Sequence, residues 1–365
     1  MVAAADLVHM ARAIALAQRG WYTARPNPRV GCVIVANDIV VGEGWHRRAG
    51  EAHAEVNALT MAGSLARGAT AYVSLEPCNH QGRTPPCAAQ LIDSGIKRVV
   101  YGVGDPHLNA QGGAQTLRDA GIEVFGPLLE TEASAVNKGF LKRCATGLPY
   151  VTLKIAASLD GRTAMASGES QWITGSAARS DVQRLRAQSG AIITGIGTVL
   201  QDDPALTVRA EQLGLPDAEM IAQLQPLRVI IDSRLRATKD LRILKPPGAA
   251  LVVTANGKAS LSGTEVVSLP NREGKVSLPD VLRELGNREI NDVLVEAGAK
   301  LAGAFLDERL VDELIIYMVP KLLGSNALPM ARLDFDMMAE ALDLDIVDMR
   351  AVDRDWRITA RPVYK

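Results

Sequence analysis

The chain has 365 residues, 47% of them apolar and 22% charged, with a formal net charge of −1, which is ordinary for a soluble protein and too long for one typical core. Residues 1–147 carry 14 basic and 12 acidic side chains and the remainder 26 and 29, so neither half has the basic excess of a protein that grips a phosphate backbone, which disfavours a nucleic-acid substrate. No apolar run reaches the length of a membrane span, and four cysteines in so long a chain (Cys32, Cys78, Cys87, Cys144) point to a reducing compartment, the cytoplasm, where such residues bind metal or do chemistry.

At the N-terminus, Leu7, Met10, Ala11, Ile14 and Ala15 fall at helical spacing, broken by Asp6, His9 and Arg12. That pattern predicts a soluble amphipathic helix rather than a signal peptide. Thr23 to Pro28 reads as a loop by its prolines. Val30–Val35 and Ile39–Gly42 follow as strands joined by a short turn at Asn37-Asp38. A helix is expected from near His53 to about Met61, and a strand over Thr70–Leu75 ends just before Pro77-Cys78. Pro85-Pro86 sits where helices start, so Cys87 should open a helix through Ile92. Lys97–Gly102, a helix near Gly113–Ala120 and Ile122–Phe125 complete a three-layer α/β domain with a central sheet. A helix ends within Asn137–Pro149, and the domain boundary is placed at residue 147.

The stretch from His53 to Cys87 concentrates the chemistry. One imidazole (His53) and two thiols (Cys78, Cys87) are ligands that Zn2+ selects, and three protein ligands leave a fourth tetrahedral position open. His53 and Cys87 each fall at a helix N-terminus, whose dipole favours thiolate over thiol. Glu55, two residues after the histidine, is suited to carry a proton from water to a leaving nitrogen. Together these are the parts of a zinc deaminase. That pattern has two residues between its cysteines; here there are eight, and the longer loop, Asn79 to Pro86, is assigned to substrate recognition. A closed structural zinc site would need a fourth ligand. Cys32 is expected in mid-strand and Cys144 after the last helix, so neither is placed to supply it.

With Asn27-Pro28, Val30-Gly31, His53-Ala54-Glu55 and the run from Glu76 to Cys87, the first half resembles the bifunctional deaminase–reductases of riboflavin biosynthesis. Gly82-Arg83-Thr84-Pro85-Pro86-Cys87 separates it from cytidine and tRNA-adenosine deaminases. The resemblance implies a cytidine-deaminase-like fold and hydrolytic removal of the 2-amino group from a phosphoribosylated diaminopyrimidinone. It also implies zinc on His53, Cys78 and Cys87, with Glu55 as proton shuttle. Asn27 is a candidate for the ribose or base and Arg83 for the substrate phosphate, which a guanidinium suits. His46 and His80 are read as hydrogen-bonding wall residues.

In the second half, strands are expected at Tyr150–Ile155, Ala191–Gly195, Leu227–Asp232, Ala250–Thr254, Val293–Glu296, Leu314–Val319 and Trp356–Ala360. Ser176 is expected to cap a helix running through Arg186. Gly195-Ile196-Gly197 reads as a tight turn. Gly298 to Gly303 follows a strand and opens a helix with small residues, which suits a pyrophosphate, although neither segment is the full dinucleotide fingerprint. The physical reading stops at a nucleotide-binding α/β domain.

Lys154–Thr163, Gly168–Thr174, Asp202–Arg209 and Val295–Gly298 extend the resemblance to the reductase half of the same family. It implies a dihydrofolate-reductase-like α/β domain over 148–365, beside the zinc-dependent deaminase domain over 1–147. The reaction implied is hydride transfer from NADPH to C1′ of the ribosyl group, opening it to a ribityl chain. By position, Ala156, Trp172, Thr198, Asp202, Ser233 and the segment Gly298, Ala299, Lys300, Leu301, Ala302, Gly303, Ala304 would bind NADPH, with Ser233 and Arg234 at the 2′-phosphate. Ser170, Arg186, Leu206, Arg209 and Glu296 would hold the substrate, the two arginines on its phosphate. Lys154 and Asp202 are both available as proton carriers.

The sequence also has two rival readings. A nucleic-acid deaminase predicts a basic surface and stacking aromatics, yet aromatics are only 4% of the chain. A metal-stabilised interaction scaffold would keep its function without Glu55. Two domains sharing one intermediate make a homo-oligomer the expectation, with a small-molecule substrate and no nucleic-acid or membrane partner.

Overall fold

The computed structural model describes residues 3–79, 85–107, 110–169, 173–257 and 260–364. The chain divides into two compact units, Met1–Gly147 and Leu148–Lys365. Among the described residues no helix is long and apolar enough to cross a membrane.

In the first unit the elements run α1 (Ala4–Gln18), β1 (Gly31–Ala36), β2 (Ile39–Trp45), α2 (Ala54–Ala62), β3 (Thr70–Leu75), α3 (Cys87–Asp93), β4 (Arg98–Val103), α4 (Gly113–Asp119), β5 (Glu123–Phe125), α5 (Glu130–Val136) and α6 (Lys138–Thr146). The sheet order is β2-β1-β3-β4-β5. β1 is antiparallel to β2 and β3, and β3, β4 and β5 are parallel. Successive strand residues point to opposite faces, and here both faces are covered. Val33 and Val35 join Met10, Ile14 and Phe140 on one side. Cys32 and Ile34 join Ala54, Ala58, Ala88 and Leu91 on the other. Asn37 and Asp38 both take positive φ, as the tight hairpin between β1 and β2 requires.

Two sequence expectations change here. The buried stripe of α1 is Asp6, Met10, Ala13, Ile14 and Ala17, whereas Leu7, Ala11 and Ala15 are exposed. Met10 and Ile14 are buried as the spacing predicts, but hydrophobicity alone put Leu7, Ala11 and Ala15 on the wrong side of the helix. The structure turns Asp6 inward because its carboxylate takes Arg98 on both oxygens, at 2.7 and 3.1 Å, and the Tyr72 hydroxyl at 2.8 Å. Cys144 lies within α6 rather than beyond it.

The second unit contains β6 (Tyr150–Ser158), β7 (Arg162–Ala164), α7 (Ser176–Gln188), β8 (Ala191–Gly195), α8 (Ile196–Asp202), α9 (Ala210–Leu213), α10 (Ala218–Gln223), β9 (Leu227–Ile231), β10 (Ala250–Thr254), β11 (Glu265–Ser268), α11 (Leu278–Asn287), β12 (Asp292–Glu296), α12 (Ala299–Asp307), β13 (Glu313–Val319), β14 (Leu328–Pro329), β15 (Asp343–Val352) and β16 (Asp355–Val363). A nine-stranded sheet has the order β11-β10-β9-β8-β12-β6-β13-β16-β15, and β14 pairs with β7 apart from it. Strands β11 to β13 in that order are parallel, and the terminal β16 and β15 are antiparallel. β12 enters late in the chain between β8 and β6, so the ends of three sequence-distant strands lie side by side. Leu153, Ile193, Val293, Leu282 and Phe305 pack one face. Ile192, Ile230, Leu294, Val182 and Tyr317 pack the other.

Ser176 is the first helical residue of α7, not its cap. Gly175 occupies the cap, and its N–H donates to the buried Asp355 carboxylate at 2.7 Å, a partner 180 residues away. Gly195-Ile196-Gly197 is the junction of β8 and α8 rather than an isolated turn. β7, β11, β14 and β15 carry no strong sequence pattern and were not expected.

Candidate active sites

In the first unit α2 and α3 begin beside the end of β3. Gly42 and Gly44 bring α2 down onto β2: a Cβ at Gly44 would lie 2.3 Å from the Ala54 carbonyl, and one at Gly42 would lie 2.3 Å from that of Ala58. No larger residue permits that approach. His53 is the N-cap of α2, with its side chain making no capping bond, and Cys87 is the first residue of α3. Cys78 follows the end of β3.

These three side chains converge. His53 Nδ1 lies 3.2 Å from Cys87 Sγ and 3.6 Å from Cys78 Sγ, and all three donor atoms fall within 4.8 Å of one another. An ion about 2.0–2.1 Å from a ring nitrogen and about 2.3 Å from a sulfur at tetrahedral angles sets those donors roughly 3.6 Å apart. The residues present therefore fit Zn2+. Among the described residues no fourth His, Cys, Asp or Glu joins the group; Cys32 is buried in β1.

The two thiols are unlike. Hydrogen bonding from the Cys87 thiol, then from His53 and the Cys87 N–H, pulls Cys78 down to about 4 against its burial. The same bond, with burial, pushes Cys87 upward. A divalent cation takes both sulfurs as thiolates and so displaces the remaining thiol proton on binding. Glu55, 3% exposed, is raised to about 7, first by burial and then by the Cys78 charge. A carboxyl group poised near neutrality both accepts and returns a proton efficiently.

His46 forms the wall beside this group, its ring edge-on to His53 with centroids 5.4 Å apart. Its Nδ1 lies 3.2 Å from the Ala52 carbonyl and its Nε2 lies 3.1 Å from Asn27 Nδ2. With Asn27 donating, His46 is the neutral Nδ1–H tautomer, and its burial lowers its basicity. Asn27 therefore reaches the site through His46. Arg83 and His80 lie outside the described residues.

In the second unit a cavity of about 1210 Å3 opens at the ends of β8, β9 and β12, where ligands bind in open α/β sheets. Gly195, Gly197, Thr198, Gly298, Ala299, Lys300 and Leu301 line it, as do Ser233 and Arg234. The Gly298 N–H donates to Thr198 Oγ1 at 3.2 Å, joining the two helix starts. Ala304 also lines the cavity, whereas Ala302 is buried in the core and Gly303 packs on the Arg332 backbone. Asp202 ends α8 exposed and is absent from the lining. Ser170 and Trp172 lie outside the described residues.

Of the candidate substrate residues, Arg186 meets Glu296 at the end of β12. Arg186 donates to both of its oxygens, Nε at 2.6 Å and Nη2 at 3.0 Å, and gives Nη1 to the Thr207 carbonyl at 3.2 Å. The Arg186 fork is thus engaged by a carboxylate rather than left for a phosphate. Lys154 Nζ lies 4.0 Å from Glu296 Oε2. Burial lowers the basicity of Lys154 against the pull of Glu296. Burial raises Glu296, but Arg186 and Lys154 outweigh it and hold the carboxylate ionised. The Arg209 N–H donates to Gln183 at 3.0 Å. Leu206 is buried with positive φ, and Ala156 lies half-buried on β6. Leu328, Pro329 and Arg332, with Asn271 and Lys275, also line the cavity; they carry no local motif by which a sequence would mark them.

Comparison with known proteins agrees with both units. Residues 4–103 match the cytidine and deoxycytidylate deaminase zinc-binding region, and residues 149–358 match the RibD C-terminal domain. The riboflavin biosynthesis protein RibD of Escherichia coli is 51% identical over 96% of this chain and 97% of its own length. That of Haemophilus influenzae is 46% identical over 98% and 97%. The solved Acinetobacter baumannii RibD superposes with a TM-score of 0.92 at 48% identity, covering 99% of each chain. A Thermotoga maritima diaminohydroxyphosphoribosylaminopyrimidine deaminase/5-amino-6-(5-phosphoribosylamino)uracil reductase gives 0.87 at 33%, covering 98% and 99%. The fold is mixed α/β, cytidine-deaminase-like in the first unit and dihydrofolate-reductase-like in the second. With full-length identity and a His/Cys/Cys group of zinc geometry, the chain belongs to the RibD family of riboflavin biosynthesis enzymes, which join a zinc deaminase to a reductase.

Proposed function

We propose that residues 1–147 deaminate 2,5-diamino-6-(5-phosphoribosylamino)pyrimidin-4(3H)-one and that residues 148–365 reduce the ribosyl side chain of the product with NADPH. The final product is 5-amino-6-(5-phosphoribitylamino)uracil. The observation that carries the reading is the convergence of His53, Cys78 and Cys87 beside the buried Glu55, in a chain resembling RibD proteins end to end.

Zinc at such a site is a Lewis acid that makes water nucleophilic near neutral pH. His53, Cys78 and Cys87 would hold it. The Glu55 carboxylate takes the proton of the attacking water and delivers it to the departing amino nitrogen, so ammonia leaves neutral. Asn27 and His46 form a polar wall where a pyrimidine edge finds hydrogen-bond partners.

NADPH supplies a hydride when bound. The start of α12 and the Gly195–Thr198 junction suit its pyrophosphate, and Ser233 and Arg234 suit the 2′-phosphate. Glu296, held by Arg186 and Lys154, would orient the sugar.

A homo-oligomer is part of the same reading. β15 edges the sheet with Leu344, Ile346, Val347 and Met349 all exposed, next to exposed Trp356 on β16, a surface that association would cover. Light scattering of the purified chain tests this, and a monomer removes it. The cytoplasm is the compartment where its unpaired cysteines persist.

The test of the activity is a coupled one. The diaminopyrimidine phosphate is supplied with zinc-loaded protein, and ammonia release and NADPH oxidation are followed together. Ammonia without NADPH oxidation removes the reductase assignment; neither signal removes both.

A further inference from the structure

The turn between β6 and β7 holds Asp160, whose carboxylate is the hub of a long-range network. It accepts the Leu323 N–H at 3.1 Å on each oxygen, the Gly324 N–H at 2.8 Å and the Ser158 hydroxyl. The Ser158 hydroxyl, then the Gly324 and Leu323 amides, hold the acid down at about 2, so it stays ionised. Charge-assisted bonds of this kind are stronger than those a backbone carbonyl makes.

The same turn grips the following segment at further points. The Leu159 N–H donates to the Lys321 carbonyl at 2.9 Å and the Met330 N–H to that of Gly161 at 3.1 Å. The Thr163 hydroxyl donates to the Pro329 carbonyl at 3.2 Å, and β7 pairs with β14. At its other end the segment is tied to α12. The Arg332 N–H donates to the Ala299 carbonyl at 3.0 Å, and a Cβ at Gly303 would stand 1.9 Å from the Arg332 carbonyl. Leu328, Pro329 and Arg332 of this segment line the same cavity as Gly195 and Gly197. Asp160 itself does not line it.

We infer that Asp160 is a positioning residue of the reductase: it anchors the strap from Lys321 to Arg332 and so fixes where Leu328, Pro329 and Arg332 line the cofactor cavity. The inference rests on reading that cavity as the NADPH site. Without the Asp160 carboxylate the strap keeps its ties to Leu159, Gly161 and Thr163 but loses the charge-assisted bonds from the Leu323 and Gly324 amides, so its wall residues shift.

NADPH is titrated into the full-length wild type, Asp160→Asn and Asp160→Ala, with binding read from NADPH fluorescence. KM and kcat for NADPH, thermal unfolding and ammonia release are measured on the same preparations. Asparagine keeps one acceptor oxygen but loses the charge, so it should rank between the other two. The Kd and KM for NADPH should rise a few-fold in Asp160→Asn and on the order of tenfold in Asp160→Ala, about the worth of one charge-assisted hydrogen bond. The change in kcat should be smaller, and the deaminase rate should stay at the wild-type value. Wild-type binding in both folded variants overturns the inference, and so does loss of the reductase fold in both, which would make Asp160 a folding residue. A wild type that ignores NADPH overturns the cofactor reading, and the inference with it.

Discussion

Replacing Glu55 by glutamine separates proton transfer from metal binding. Gln matches Glu in size, and Glu55 is 3% exposed in a packed site, so the fold should tolerate the change within about 1 kcal/mol. Glu55 is not among the three converging donors, so zinc content should stay at the wild-type level. The loss in rate follows from what could stand in for the carboxylate. Among the described residues, the imidazole that meets His53 is His46, and both of its nitrogens are hydrogen-bonded, to Asn27 and Ala52. Bulk water reaches a side chain this buried poorly. With no substitute, the full contribution of general acid–base catalysis should go, about 10²–10⁴-fold, or about 3–5 kcal/mol of activation free energy. Ammonia release under saturating substrate measures this, beside metal analysis and NADPH oxidation on the deaminated intermediate. A variant that deaminates within a factor of ten of wild type, or that loses its zinc, would refute the assignment.

Cys78→Ser should lower zinc content and deaminase rate together while the reductase still consumes NADPH on deaminated substrate; a chelator should reproduce this, and parallel loss of both activities would count against separate sites. Asp6→Asn should cost about 2–3 kcal/mol at neutral pH by leaving Arg98 without its buried partner, measured by urea unfolding. The Arg98 hydrogen bond holds the Asp6 carboxyl well below its ordinary range. Its stabilisation is therefore present above about pH 4 and is lost as pH falls through the folded-state value, so the asparagine variant should lack that acid-side slope. Arg228→Met should destabilise by about 2–4 kcal/mol, because the fully buried guanidinium donates to the carbonyls of Pro246, Pro247 and Gly248 at 2.8–3.0 Å. A melting temperature within a degree of wild type would contradict that.

Much of this molecule was legible before any coordinates. Strand alternation and helical spacing are local, so the elements of the first unit fall close to where the pattern puts them, including α2 at His53 and α3 at Cys87. The metal donors are legible because soft ligands at helix starts have few other uses. Short or exposed strands such as β7, β14 and β15 lack a buried face, so they leave little periodicity to read.

What only the tertiary structure decided lies between distant residues. Asp6 faces inward because Arg98, 92 residues on, meets it there. Arg186 clasps Glu296 across 110 residues because β12 inserts between β8 and β6. Glu55 stands near neutrality because the folded chain removes it from water beside Cys78. Sequence determines which groups are present and which local element carries them. Their separations and solvation follow from chain closure over long loops, and no short-range pattern encodes those.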